Sequence, residues 1–264
     1  MLKTLLYINE DLASSIALRY MAYLNKVVPI ALYVGHVEEA DEKEQTGTGW
    51  VRRAWEDGVA SNGKRLVDRM LRTENIDCPL AGRPKIFVGD RETEIIYELR
   101  SGNYDLFAQG YLNTADPDSF FSFISSSLYA KAPCPILVVK NLTVSKKCAL
   151  LCADSVSPEV LVEKSLPIIG ASSLKIDIVY YKFKELEDLK ILDREEGGSQ
   201  LRETESLLAK AGQSVDGVTV ITGTPEQTGD FLKEYALVAS TFPGRKSMRM
   251  QTLANSLASV LLVR

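Results

Sequence analysis

At 264 residues the chain is long enough for two domains of ordinary size, each with its own core. Hydrophobic residues at 45% and charged residues at 25% are the balance of a soluble globular protein, and a net charge of −4 counts against a general nucleic-acid binder. No run approaches the roughly 20 apolar residues that cross a bilayer. Met1 to Ile8 is apolar but gives way at once to Asn9-Glu10-Asp11, so it does not read as a signal peptide. Cys78, Cys134, Cys148 and Cys152 lack disulfide-scaffold density, which makes a reducing cytoplasm the expected compartment.

In chain order, Lys3 to Ile8 reads as a buried strand. Ile16, Ala17, Tyr20, Met21 and Leu24 then recur at helical spacing after Leu12. Val27 to Val37 is a second strand, and Glu38 to Glu44 an acidic, solvated loop. A long helix is predicted over about Trp50 to Arg72, with Val51, Trp55, Val59, Leu66, Val67, Met70 and Leu71 as its apolar stripe. Arg83 to Val88 is a third strand, followed by a helix around Thr93 to Leu99, and Asp105 to Gln109 a fourth, ending at Gly110. Asp116-Pro117-Asp118-Ser119 has helix-start chemistry ahead of Phe120, Phe121, Ile124 and Leu128. Pro133 and Pro135 cannot donate to a sheet ladder and suit a helix end and a strand start. Ile136 to Val139 is the fifth strand, with no polar alternation and so covered on both faces.

The order then repeats. Cys148 to Ala153 matches the first strand, with Asp154 where Asn9 stood. Pro158 to Gly170 is a helix, Lys175 to Tyr181 a strand, Glu203 to Ala211 a helix and Val218 to Ile221 a strand. Gly223-Thr224-Pro225-Glu226 opens a helix as Gly89-Asp90-Arg91-Glu92 does. Ala236 to Ala239 and Ser259 to Val263 close the series, the last after a helix-like Leu253 to Ala258. Strands alternating with helices predict right-handed crossovers and parallel, doubly wound sheets. The polar linker Asn141 to Lys147 divides the chain into residues 1–141 and 147–264.

These residues resemble a tandem universal stress protein. The likeness rests on the paired openings LLYINEDLASSIAL and CALLCADSVSPEVL, His36-Val37 closing the second strand, and Gly89-Asp90. It rests most on the fourth strand with Gly110 and on APCPILVVK. It covers nearly the whole chain, by letters in the first half and more by element order in the second. It implies a five-stranded, adenine-nucleotide-hydrolase-like sheet of order 3-2-1-4-5 in each half, with the halves meeting through their last strands as an internal pseudo-dimer. Further association into a homodimer stays open.

ATP-binding members of that family are similar in an Asp after strand one and a G-x-x-G-x(9)-G-[ST] loop after strand four. Glycines there let backbone N–H groups approach phosphates beside a helix N-terminus. This chain departs from the pattern twice. In the first half Asn9 replaces the Asp, Asn113 replaces the second glycine, and Ser122-Phe123 holds none. In the second half Asp154 is kept, Ser240 and Pro243 fall at glycine positions, and Thr241 to Met248 is shortened. The candidate cleft residues are therefore Asn9, Val37, Gly110, Asn113, Asp154, Tyr181 and Ser240. Against each stands a plainer role: Asp154 as a helix cap, Gly110 as a turn glycine, Val37 and Tyr181 as covered strand ends. Arg245, Lys246 and Arg249 read as a solvated basic patch before an anion site.

No catalytic constellation emerges. His36 is the single histidine, no G-x-S-x-G elbow occurs, and Cys148 and Cys152 on one strand face lie about 13 Å apart, too far to share a metal. Trp50, Trp55, Phe120, Phe121 and Phe123 read first as core and domain interface, and second as the walls of an apolar ligand pocket. The resulting expectation is a non-enzymatic stress-response or signalling protein with no cofactor and no metal, binding protein partners or a small, apolar ligand. The alternative is an ATP-binding member with weak ATPase or nucleotide-sensing activity.

Overall fold

The computed structural model describes residues 1–39, 49–112, 116–143, 145–184 and 188–264. The first half runs β1 (Leu2–Tyr7), α1 (Leu12–Leu24), β2 (Ile30–Glu38), α2 (Trp50–Glu74), β3 (Lys85–Val88), α3 (Arg91–Gly102), β4 (Leu106–Gly110), α4 (Pro117–Ile124), α5 (Ser127–Lys131) and β5 (Ile136–Val139). The second half runs β6 (Lys147–Cys152), α6 (Pro158–Ile169), β7 (Lys175–Tyr181), β8 (Lys190–Leu192), α7 (Ser199–Lys210), β9 (Val215–Thr222), α8 (Pro225–Phe231), β10 (Leu237–Thr241), α9 (Met248–Asn255) and β11 (Ser259–Val263).

Both halves take the expected order: β3-β2-β1-β4-β5, and in mirror sequence β11-β10-β6-β7-β9. They join into one continuous 11-stranded sheet. Pairing is parallel throughout except at two places. β5 and β11 run antiparallel, Val138 opposite Val260 and Ile136 opposite Leu262. β8 lies antiparallel on β9 and adds an edge strand that the sequence pattern does not announce. Three residues, two of them exposed, carry no periodicity to read.

The central strands are buried along most of their length, as runs of Val, Ile and Leu between two helical layers should be. One apolar cluster covers each face, and each cluster takes residues from both halves. The helices begin where capping side chains are available. Asp11 accepts from the Ser14 N–H, Asp90 from Thr93 and Ser157 from Val160, and Thr224 forms a reciprocal capping box with Gln227.

Two expectations change. The single helix expected over Phe120 to Leu128 is broken after Ile124, where the Ser125 and Ser126 N–H groups bond back to Phe121 and Phe123 and a new turn starts at Ser127. Trp50 does not belong to the core: it is 80% exposed, and α2 buries only Gly63, Val67 and Met70.

Across the seam the halves exchange caps. Lys140, after β5, donates from Nζ to the carbonyls of Leu253, Ala254 and Ser256 at the end of α9, at 2.6, 2.8 and 3.1 Å. Arg264, after β11, donates to the Ala130 carbonyl in α5 at 2.6 Å. Each cation also lies over an aromatic ring of its own half, Lys140 over Phe120 and Arg264 over Phe242. Tyr20 and Tyr23 of α1 extend the junction with hydroxyls donating to the carbonyls of Ala236 and Ser145, both at 2.8 Å.

Candidate functional site

An open parallel sheet places its binding crevice at the carboxyl ends of the strands, where strand order reverses. Here that means the ends of β1 and β4 in the first half, and of β6 and β10 in the second.

In the first half a cavity of about 280 Å³ opens beside the ends of β1 and β2, lined by Tyr7, Asn9, His36, Val37, Glu38, Glu39, Leu66 and Arg91. Asn9 and Val37 thus line one cavity. The Asn9 N–H donates to Ser14 Oγ at 2.8 Å and its Oδ1 accepts from the Glu10 N–H at 2.9 Å. His36, only 2% exposed, is held between the Ile8 carbonyl and Glu38. Arg91 lies against the Tyr7 ring, and burial pushes the Tyr7 hydroxyl up to about 12.

Gly110 stands apart from this cavity. A Cβ on it would fall 2.1 Å from the Ala13 carbonyl oxygen, so the first turn of α1 rests directly on its backbone. Gly110 is the last residue of β4 rather than a turn residue, and what its missing side chain permits is this close approach of α1. Asn113 lies outside the described residues. Past Gly110 the space is taken by rings: Tyr111 sits 4.4 Å from Phe123 and 5.6 Å from Phe120, and Phe123 4.5 Å from Tyr129, between centroids. Tyr129 in turn donates to Gln109. The aromatic surplus is core and junction here, since α4 packs on α9 and Lys246 bridges to Asp118 at 2.6 Å.

The second half is closed by polar side chains instead. Asp154 does not cap α6, a role that Ser157 takes. Its carboxylate accepts from the Tyr180 hydroxyl, and its carbonyl from Gln200 at 3.4 Å. Tyr181 is buried and donates to the Gly223 carbonyl at 3.0 Å. Ser240 is fully buried and accepts from Arg249 Nη1 at 3.0 Å. Arg249 also donates from Nε to Ser155 Oγ at 3.2 Å and from Nη1 to the Thr241 carbonyl at 2.5 Å. Its guanidinium therefore spans the strand ends of β6 and β10, and burial brings it down to about 10. At 7% exposure Arg249 is no member of a solvated patch, which corrects the sequence reading. Ser247 as N-cap of α9 was the available clue, because it turns the second residue of that helix inward.

A larger cavity, about 760 Å³, lies near the starts of β6 and β7, around Lys146, Lys147, Lys175 and Tyr235. It is at the opposite strand ends from the crevices. Two of its lysines are already paired, Lys147 with Asp177 at 3.2 Å and Lys175 with Asp216 at 3.0 Å. Among the described residues no group of three or more His, Cys, Asp or Glu is placed to hold a metal ion, and no helix is long and apolar enough to cross a membrane. Burial raises the thiols of Cys134 and Cys148 to about 12 and of Cys152 to about 11. Since the thiolate is the reactive form, a chromogenic disulfide reagent at pH 8 is expected to leave these three untouched in the folded chain. All four cysteines should titrate in denaturant.

Several solved structures match over nearly the full length. A universal stress protein from Archaeoglobus fulgidus superposes with a TM-score of 0.61 at 17% identity, covering 99% of this chain and 95% of that one. The fold is that of the universal stress proteins, in tandem. A functionally unknown protein from Pseudomonas aeruginosa follows, with a TM-score of 0.54 at 15% identity, 98% of this chain and 91% of that one. No family profile and no curated protein matches the sequence.

Proposed function

We propose that this chain is a tandem universal stress protein of the non-nucleotide-binding branch. On this reading it is a cytoplasmic stress-response or signalling protein that acts by binding partners or a small ligand rather than by catalysis. The two halves, 1–141 and 147–264, act as an internal pseudo-dimer through the β5–β11 junction.

The observation that carries the reading is the occupancy of the positions where phosphates would lie. Phosphate recognition needs free backbone N–H groups beside glycines. In the first half α1 rests on Gly110, and Tyr111 and Phe123 pack beyond it. In the second half Arg249 gives its Nε and Nη1 hydrogens, and Tyr181 its hydroxyl, to the protein's own oxygen atoms. What is left open at the first-half strand ends is a cavity of about 280 Å³ with a mostly polar lining, which favours a small polar ligand over the apolar one the aromatic residues suggested.

Calorimetric titration with ATP and nucleotide analysis of the purified protein test this. No co-purifying adenine nucleotide and no saturable heat below about 1 mM are expected. Bound nucleotide or steady ATP hydrolysis would replace this reading with that of an ATP-binding member.

A further inference from the structure

The two halves correspond position by position. Leu5 pairs with Tyr33 and Phe107, and Ala149 with Asp177 and Val238, so Asp177 stands where Tyr33 stands. By the same register Lys147 matches Lys3, and Tyr235 matches Tyr104. In the first half the Tyr33 ring packs edge-on against Tyr104 at 5.7 Å between centroids, and the Lys3 ammonium lies 5.4 and 4.9 Å from the two. Glu98 of α3 closes the cluster, accepting from the Tyr104 hydroxyl at 2.6 Å and from Lys85 at 2.5 Å. In the second half that filling is missing. Asp177 has no ring, and α8 runs 7 residues where α3 runs 12. The cavity of about 760 Å³ lies here, with Lys147, Leu189, Phe231 and Tyr235 in its walls. The exchange does not serve the fold. Asp177 is 5% exposed, and Lys147 and Tyr235 donate to its Oδ2 at 3.2 and 3.1 Å, but Oδ1 has no hydrogen-bond partner among the described residues. A buried carboxylate with one oxygen unpaired costs stability that a packed ring would contribute.

We infer that this cavity binds a small, neutral aromatic molecule, whose ring takes the place beside Tyr235 and Lys147 that the Tyr33 ring holds beside Tyr104 and Lys3. Leu189, Phe231 and Tyr235 supply its apolar wall. A ring edge and an ammonium are the contacts that the first half already makes to an aromatic side chain in this position. The charges around the cavity select no ion. Lys147 is matched by Asp177 at 3.2 Å, Lys175 by Asp216 at 3.0 Å and Lys233 by Asp230 at 2.9 Å. The two charged residues left in the walls, Lys146 and Glu234, are of opposite sign. The volume falls within the range of about 300–1,000 Å³ that holds small ligands. The cavity lies near the starts of β6 and β7, away from the crevices at the carboxyl ends, so the outcome of the nucleotide titration leaves this assignment untouched.

Phenol and indole are the probes and cyclohexanol the control, titrated into the full-length protein labelled with ¹³C in its tyrosine rings. The Tyr235 ring signal, identified by its loss in Tyr235→Phe, should shift saturably with phenol or indole, with half-saturation at about 1 mM or below. Cyclohexanol has the size of phenol but no π-face, and should bind about fivefold more weakly or worse, the factor that ring–ring and cation–ring contacts contribute. Asp177→Tyr restores the first-half filling and should abolish the response, with circular dichroism confirming that the variant folds. Should it not fold, Phe231→Ala, which trims a half-buried wall, should weaken phenol binding about fivefold. A Tyr235 signal that neither phenol nor indole moves saturably would overturn the assignment. So would cyclohexanol binding as tightly as phenol, a folded Asp177→Tyr that still responds, or a Phe231→Ala that binds phenol unchanged.

Discussion

Replacing Lys140 by methionine is expected to cost about 3 kcal/mol of folding stability, read as a lower urea midpoint with an unchanged slope. Lys140 is 3% exposed, and below pH 7 its ammonium has three hydrogens for three carbonyls, those of Leu253, Ala254 and Ser256. Those carbonyls end α9, where no intrahelical N–H remains to bond them. Methionine fills the same volume but leaves the acceptors dry and unpaired. The effect should exceed that of Arg264→Met, because Arg264 reaches a single exposed carbonyl.

The loss should also depend on pH, in a direction that linkage fixes. Burial brings Lys140 down from 10.5 to about 7, whereas the unfolded chain keeps an ordinary lysine. Below pH 7 both states hold the proton and this group adds no slope. Between pH 7 and about 10 the unfolded chain binds more protons than the folded one, so the wild type gains stability as pH rises through that window. Lys140→Met lacks the gain. The difference between the two proteins should widen from pH 6 to pH 9, and a constant difference would mean that the three carbonyls hold the ammonium charged throughout.

How far the chain could be read beforehand follows from where each residue's surroundings come from. Ile136 to Val139 and Lys175 to Tyr181 were legible to the residue because strands covered on both faces leave a run of apolar letters. The sequence places Asn9 in a first-half cleft with Gly110, whereas the cavity at Asn9 is shared with Val37, because β1 and β2 end side by side. Trp50 misled because a helical stripe says which residues share a face but not whether anything lies against it. Arg249 was out of reach for a different reason. Its burial depends on β6 and β10 being neighbours, a contact between Leu150 and Ala239 that no local pattern contains. His36 lay between these cases: its place near the end of β2 was plain, but its contact with the Ile8 carbonyl depends on β1 and β2 being neighbours.

Gly110→Ala is expected to destabilise the chain by more than about 3 kcal/mol, above the ordinary cost of overpacking. The added carbon would lie 2.1 Å from the oxygen and 2.4 Å from the carbonyl carbon of Ala13. Neither is the flexible end of a side chain that could swing away. Relief requires α1 to lift, and α1 is fixed at its start by the Asp11 cap and over its length by Leu18, Tyr20 and Met21 in the core. Gly58 is the internal control. It lies exposed in α2, and a Cβ added there would meet nothing within 4 Å, so Gly58→Ala should stabilise by about 0.5–1 kcal/mol through helix propensity alone. The pair separates two uses of glycine that the sequence motif cannot. If Gly110 served a phosphate, its alanine variant would fold normally and lose only ligand affinity. If it serves the approach of α1, thermal melting of the ligand-free protein shows the loss, and nucleotide makes no difference to either variant.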